Sequence, residues 1–390
     1  MAGRTPGRRR VGGRGRTAAR AEIRMSGARL TILMTVDAVG GVWRYAMDLA
    51  AGLRGQVDVV FAGFGPEPSE AQRREAEALG PLDWCDAPLD WLVGGESELA
   101  VVPKMIAGVA RRHRVDLIHL NLPSQAAGLS VPVPVLAVSH SCVVTWFAAV
   151  RDGVLPAGWL WQRRLNRQGL AAADVVVTPT RAQADLMARS YGPMPEVRVV
   201  ANASRVAAPA RRMARPMVLS AGRWWDEGKN AAVLDAAAPL IDWPVVMAGA
   251  AASPKGQAVA IRAAEARGEI SHAEMLELMC EASIFVSPSR YEPFGLAVLE
   301  AARGGLPLVL SDIPTFRELW DGAAVFFPPE DPMALAEAVN RLIRDPARRR
   351  RLGQAAQARA ALYTPERQAR AMAAIYAELC PIPETLRAAR

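Results

Sequence analysis

Several things are scarce or missing in this chain, and each absence removes a class of function. Its four cysteines, Cys85, Cys142, Cys280 and Cys380, are scattered through 390 residues. They form neither a Cys-x-x-Cys pair nor a metal-ligand spacing, which excludes a disulfide-stapled scaffold and a zinc module. No apolar run follows the basic N-terminus as a secretory signal requires, so a reducing cytoplasm is the expected compartment. No Gly-x-Gly-x-x-Gly follows any strand proposed below, which leaves a dinucleotide-dependent oxidoreductase without its fingerprint. No Asp-x-Asp occurs, so a metal bridging a diphosphate has no obvious carboxylate pair. No repeat of solenoid length is present. Residues 120–150 lack formal charge, but Pro123, Pro132, Pro134, Asn121 and His140 interrupt them. Val133–Val138 therefore reads as a buried strand rather than part of a membrane helix.

What is present is enough for two domains, given roughly 100–200 residues for each. The net charge of +8 is concentrated at one end: residues 1–24 carry eight arginines against one glutamate, while the other 366 residues hold 39 basic and 38 acidic side chains. The folded body is close to neutral, so nucleic acid is not an expected partner. The Arg/Gly-rich leader, residues 1–27, is expected to be disordered: a solvated tail, or an over-long gene start with Met25 as the true beginning. A polyanion-binding arm is the alternative.

Short β-branched runs alternate with helical stretches, the pattern of parallel sheets covered by helices. Strands are expected at Leu30–Val36, Val57–Ala62, Leu117–Leu120, Val133–Val138, Val175–Thr178 and Val197–Val200, with helices near 42–54, 98–113, 158–172 and 181–191. An Ala/Arg/Pro-rich linker, 203–216, follows. The pattern restarts with Met217–Ala221, Val245–Ala248, Ile284–Ser287, Leu308–Leu310 and Ala324–Phe327. The expected organisation is a domain over 28–202, a second over 217–365, and a C-terminal segment, 366–390, returning to the first. Ligands of doubly wound sheets bind beyond the carboxyl ends of the strands, so the loops there are where chemistry is sought.

The first such loop holds Gly40-Gly41 before a helix, which lets backbone approach a ligand and offers helix-start amides to an anion; a plain tight turn fits as well. The loop after Met217–Ala221 carries Gly222, Arg223, Gly228, Lys229 and Asn230. It fails as an ATPase P-loop, with five residues between the glycines where four are required and Asn230 where Ser or Thr is needed. Arg223 and Lys229 remain as a fork and a point charge suited to phosphate oxygens, or as ordinary surface cations. The richest segment is residues 287–300, Ser-Pro-Ser-Arg-Tyr-Glu-Pro-Phe-Gly-Leu-Ala-Val-Leu-Glu. A strand ends in a polar turn containing Glu292, and a helix starts near Phe294–Gly295. The amides of Gly295 and Leu296 suit sugar hydroxyls or phosphate, and Glu300 suits a ribose diol. Glutamates at a helix start also serve as dipole partners, which does not explain Glu300 beyond the first turn. His140, at a strand end, is a structural residue or a site residue; its neighbour Cys142 is poorly placed to pair with it as a nucleophile. The stretch Trp159, Trp161, Arg163, Arg164, Arg167 suits either a sheet-covering helix or a weak peripheral membrane contact.

Together these elements resemble glycosyltransferase family 4, retaining enzymes of the GT-B fold, over about residues 28–380. Glu292 through Glu300 followed by Ala-Ala-Arg-Gly-Gly-Leu-Pro is similar to the family's Glu-x7-Glu helix. Gly222-Arg223 with Lys229-Asn230 is similar to its phosphate site, Gly40-Gly41 to its N-domain glycine loop, and His140 to a histidine near the donor sugar. The resemblance implies an α/β fold of two Rossmann-like, doubly wound parallel-sheet domains facing a central cleft. It implies a UDP- or GDP-sugar donor, no metal or other cofactor, and a glycan, lipid-linked or small-molecule acceptor. Arg223 and Lys229 would neutralise the leaving diphosphate, and Glu300 would hold the ribose. Glu292 with the Phe294, Gly295 and Leu296 backbone would hold the sugar, with His140 contacting it from the other domain. A departing phosphate that helps deprotonate the acceptor is the implied mechanism. The chain departs from the family at Asn202-Ala203, where Asn-Gly is usual, and at Ala248-Gly249-Ala250-Ala251-Ala252, where a glycine-rich loop is usual. A nucleotide-sugar epimerase, a phosphorylase and a non-catalytic GT-B module are the rival readings.

Overall fold

The computed structural model describes residues 29–151, 153–194, 196–206, 214–253 and 256–381. The leader and the middle of the expected linker, 207–213, lie outside the described residues. Two parallel sheets make up the molecule. The first contains β1 (Leu30–Asp37), β2 (Val57–Phe64), β3 (Leu82–Trp84), β4 (Leu117–Leu120), β5 (Val135–Val138), β6 (Val175–Thr178) and β7 (Val197–Val199). The second contains β8 (Val218–Ala221), β9 (Val245–Ala248), β10 (Glu265–Gly268), β11 (Ile284–Ser287), β12 (Leu308–Ser311) and β13 (Ala324–Phe327). Their orders are β3-β2-β1-β4-β5-β6-β7 and β10-β9-β8-β11-β12-β13.

Helices cover both faces of each sheet, so each strand buries both sides. Along β1, Ile32, Met34 and Val36 pack under Trp43, Ala46 and Met47 of helix Gly41–Gly52, whereas Leu33 joins Val102 and Ile106 of helix Val102–Arg112. That period-two division explains why the strands read as unbroken apolar runs. Helix Pro365–Leu379 lies on the first sheet's side: Met372, Ile375 and Tyr376 belong to the same core as Ile32 and Met34. Gly52 has no Cβ where one would come within 3.1 Å of the Ala369 Cβ, so the two helices meet closely there.

The sequence missed or misplaced a few elements. The helix expected over 98–113 is divided into a 3-10 turn, Glu96–Leu99, and an α-helix, Val102–Arg112. Pro103 lacks an amide hydrogen and is tolerated in a helix's first turn, not within it. The strand expected from Val133 begins at Val135, after Pro134. Edge strands β3 and β10 were unforeseen; β10 reads Glu-Ala-Arg-Gly and is exposed throughout.

In both sheets the chain reverses direction at the centre, between β1 and β4 and between β8 and β11. The loops after these strands diverge and leave a crevice at each switch point. Residues from the two crevices approach one another. A Cβ on Gly40 would lie 3.1 Å from Arg223 Nη1, and one on Gly41 would lie 3.7 Å from Leu296 Cδ1. The fold is GT-B: two Rossmann-like α/β units facing a central cleft.

Candidate active site

On the second domain's side, the loops after β8 and β11 are pinned together. The Gly228 carbonyl accepts hydrogen bonds from the amides of Arg290 (2.9 Å) and Tyr291 (3.2 Å). Asn230, held in the left-handed region at φ 59°, donates from Nδ2 to the carbonyls of Pro288 (3.0 Å) and Pro329 (2.7 Å). Its role is to lock the loop. The buried Trp224 anchors the same loop to the end of β9, donating from Nε1 to the Ala248 carbonyl at 3.0 Å.

These anchors bring the sequence-predicted cations and carboxylates into one crevice. Lys229 Nζ lies 2.5 Å from Glu292 Oε2, both half-buried. Arg223 is further out, its guanidinium 5.4 Å from the Trp225 ring centre and 3.8 Å from Asp226. Gly295 takes φ 89° as the N-cap of helix Leu296–Arg303 and supplies no side-chain cap, so the first-turn amides have no partner within the helix. The Phe294 side chain points into the core, edge-on to Tyr363 at 5.6 Å between ring centres. Leu296 and Glu300, four residues apart, share one helix face. Glu300 is 5% exposed, and its Oε1 is 3.4 Å from Ser204 Oγ and 3.1 Å from His272 Nε2. The Glu300 carboxylate raises the pKa of His272 by hydrogen bond and by charge, against the burial that lowers it.

The first domain contributes a buried polar cluster where β1, β4 and β5 end. Asn121 Nδ2 donates to the Thr35 carbonyl, and Asn121 Oδ1 lies 2.9 Å from His140 Nε2. Since Oδ1 only accepts, His140 carries its proton on Nε2, which leaves Nδ1 as an acceptor. The His140 ring sits edge-on to Tyr45 at 4.2 Å. Burial, and secondarily the neighbouring His119, push its pKa down to about 3, so the ring is neutral near pH 7. His119 Nδ1 in turn meets Tyr376 Oη at 2.7 Å, which fastens the C-terminal helix beneath the cluster. Cys142 caps helix Val143–Val150 and makes no pair with His140.

Some residues of this site carried no assigned role in the sequence reading: Asp37, Asn121, Ser204 and His272. Asp37 closes β1, is 3% exposed and accepts the Val39 amide at 2.9 Å. Burial drives its pKa up to about 7, partly opposed by Val39 and by the charge of Arg223. A polar residue at a strand's carboxyl end was the available signal for Asp37 and Asn121; nothing in the sequence pointed to Ser204 or His272. Trp161 packs against the first domain's core and Arg164 pairs with Glu96. Among the described residues, no group of three His, Cys, Asp or Glu is placed to hold a metal ion, and no helix is long and apolar enough to cross a membrane.

Comparison with known proteins matches the chain in two successive segments. Residues 40–203 match the glycosyl transferase 4-like domain model, and residues 207–359 match that of glycosyl transferases group 1. Over 101 residues the chain is 42% identical to a glycogen synthase of Mycobacterium tuberculosis, a stretch covering 25% of this chain and 24% of that protein's length. The sucrose-phosphate synthase of Thermosynechococcus elongatus superposes with a TM-score of 0.75 at 20% identity, covering 90% of this chain and 99% of that one. Anabaena HepE in complex with UDP-glucose gives 0.69 at 16% identity, covering 90% and 100%. With both halves matched in order, on a GT-B scaffold whose two switch-point crevices face each other, the chain belongs to the family 4-type, group 1 glycosyltransferases.

Proposed function

We propose that the chain transfers a sugar, with retention of configuration and without a metal, from a UDP- or GDP-sugar to an acceptor hydroxyl. The observation that carries this reading is the pinning of the β8 and β11 loops through the Gly228 carbonyl. It gathers two cations, free helix amides and the buried Glu300 on one side of a crevice, with Gly40 and His140 on the other. A nucleoside diphosphate sugar has charge, hydroxyls and a ribose diol in the same sequence. HepE, a protein of the same fold, is described as a complex with UDP-glucose, which supports a nucleotide-sugar donor here.

In this reading the bond from the anomeric carbon to the diphosphate oxygen breaks with its electron pair staying on the diphosphate. Arg223, Lys229 and the amides of the Leu296–Arg303 helix stabilise that charge. The acceptor oxygen bonds the anomeric carbon from the same face, and its proton passes to the departing phosphate. Neutral His140 is suited to accept a sugar hydroxyl at Nδ1, not to act as an acid. Glu300 turns from His272 and Ser204 to the ribose, while Glu292 contacts the sugar and shares Lys229 with the diphosphate. A cytoplasmic setting, with or without weak contact at a membrane face, is part of the same proposal.

Calorimetry with UDP and GDP tests the donor site. Glu300→Ala should weaken nucleotide affinity by about 10-fold or more, the worth of one charge-assisted hydrogen-bond pair. Unchanged affinity would remove Glu300 from the ribose. Incubating labelled nucleotide sugar with acceptor and excess chelator separates the remaining readings. Nucleotide release without a new glycoside would defeat transfer, and inhibition by chelator would defeat metal independence.

A further inference from the structure

A second concavity lies outside the donor crevice, in the first domain. Its volume is about 520 Å³, within the roughly 300–1,000 Å³ typical of small-molecule sites. Its walls come from the segments after β3 and β4, from the first turn of helix Val102–Arg112 and from helix Leu160–Ala172. It therefore sits at the same carboxyl edge of the sheet as Gly40 and His140.

The lining is mainly apolar, with Leu89, Leu99, Val102, Leu122 and Leu165 among its larger side chains. Its buried polar groups are Asp90, Ser124 and Gln125, each 5–6% exposed. Gln125 ties the cavity to the cleft. Its Oε1 accepts from Thr35 Oγ1 at 2.7 Å, Thr35 Oγ1 accepts from the Asn121 amide at 2.8 Å, and Asn121 Oδ1 holds His140. A molecule resting on Gln125 is one short hydrogen-bonded chain from the histidine that faces the donor.

The charges decide what that molecule is. Lys104 is the only cation among the lining residues, and it is exposed at the rim. Two carboxylates, Asp90 and Glu96, oppose it. Glu96 is held by Arg164, which lies outside the lining. A phosphorylated or carboxylated ligand would be desolvated beside Asp90 with one solvated lysine to offset it, which is unfavourable.

We propose that this cavity is the acceptor subsite and takes the apolar portion of an uncharged glycoside or alcohol, presenting its hydroxyl to the cleft. The assignment of the ligand as acceptor rests on the transfer reaction proposed above; the preference for an uncharged, apolar group rests on the cavity alone.

The test uses the full chain and reads binding, not turnover. Octyl β-D-glucopyranoside, kept below its micelle concentration, is compared with methyl β-D-glucopyranoside and glucose 6-phosphate by calorimetry. Each buried methylene favours binding, so the octyl glycoside should bind at least about 10-fold more tightly than the methyl one. Glucose 6-phosphate should bind no better than the methyl glycoside. Ala100→Trp and, separately, Ser97→Trp place a ring at exposed lining positions and should abolish the octyl preference. An unfolding midpoint for each variant checks that it is folded. Equal affinity for the two glycosides, preferential binding of the phosphate, or a preference surviving both folded variants would overturn the proposal. UDP affinity, measured separately on the unaltered chain, reports on the donor site, so failure of the transfer reading is distinguishable from failure of this one.

Discussion

At the scale of single residues, the site is poised by charges that satisfy one another. Lys229 is held by Glu292, so under the proposed reaction a diphosphate shares that ammonium with a carboxylate. Glu292→Gln removes the competing charge and leaves Lys229 half-buried and uncompensated. We expect UDP to bind 3- to 10-fold more tightly, about 1 kcal/mol, while sugar transfer falls at least about 100-fold through loss of the sugar contact. Calorimetry and initial rates measure the two effects, and a parallel loss of both would refute the opposition. Asp37 makes a pH-dependent prediction. Its carboxyl has a pKa near 7 in the fold against about 3.9 in an unfolded chain. The folded state thus favours the protonated form. The stability that Asp37 contributes is fully present below about pH 3.9 and is lost as pH rises through 7. Asparagine does not ionise, so Asp37→Asn should gain stability relative to the parent as pH rises from about 4 to 8 and level off above. Unfolding midpoints across that range check it; a difference independent of pH would mean that Asp37 is not held protonated. None of this was legible from residue type. Ser204 and Glu300 are 96 residues apart in sequence, and the lowered pKa of His140 and the raised pKa of Asp37 arise from burial that only the assembled cleft supplies.

At the scale of elements, the sequence was most legible where the chemistry is local. The turn before Glu300 and the loop from Gly222 to Asn230 each sit between an apolar run and a helix, so strand, loop and helix start were visible together. Edge strand β10 was not, because Glu-Ala-Arg-Gly has no β-branched residue and owes its order to pairing with β9. Nor does a sequence announce that β8 and β11 are neighbours, the fact that makes two loops into one crevice. Gly295 shows how tightly that crevice is specified. It has φ 89°, and a Cβ there would lie 3.3 Å from Glu292 Cγ and from the Phe316 ring. Gly295→Ala should cost about 1–2 kcal/mol of stability from the left-handed backbone alone. It should also weaken UDP binding, because the helix amides shift with the turn. A lowered unfolding midpoint with unchanged UDP affinity would place the donor away from this helix start.

At the scale of the whole molecule, the two domains are held by a seam beside the reacting groups. Tyr291 Oη lies 2.8 Å from Thr145 Oγ1 across the cleft, buried. Trp146 Nε1 donates to Asp226 Oδ1 at 2.8 Å. Glu318 reaches from the second domain to accept the amides of Arg181 (2.8 Å) and Ala182 (2.7 Å), capping helix Arg181–Tyr191 of the first. A carboxylate there also meets the positive end of the helix dipole. Tyr291→Phe removes two neutral hydrogen bonds, with Thr145 Oγ1 and from Gln183 Nε2 (3.4 Å), and Glu318→Gln removes the charge from two more, each worth about 1 kcal/mol. Neither change empties a core position, so each domain should stay folded. The doubly substituted chain should open, with a larger radius of gyration by small-angle scattering than the parent. Adding UDP should draw it back if Gly40 and Arg223 close on the same ligand from opposite sides. Expansion that UDP does not reverse would mean that the donor binds one domain alone, and a profile identical to the parent's would mean that the remaining contacts, among them Trp146 to Asp226 and Thr180 Oγ1 to the Pro293 carbonyl at 2.9 Å, hold the seam.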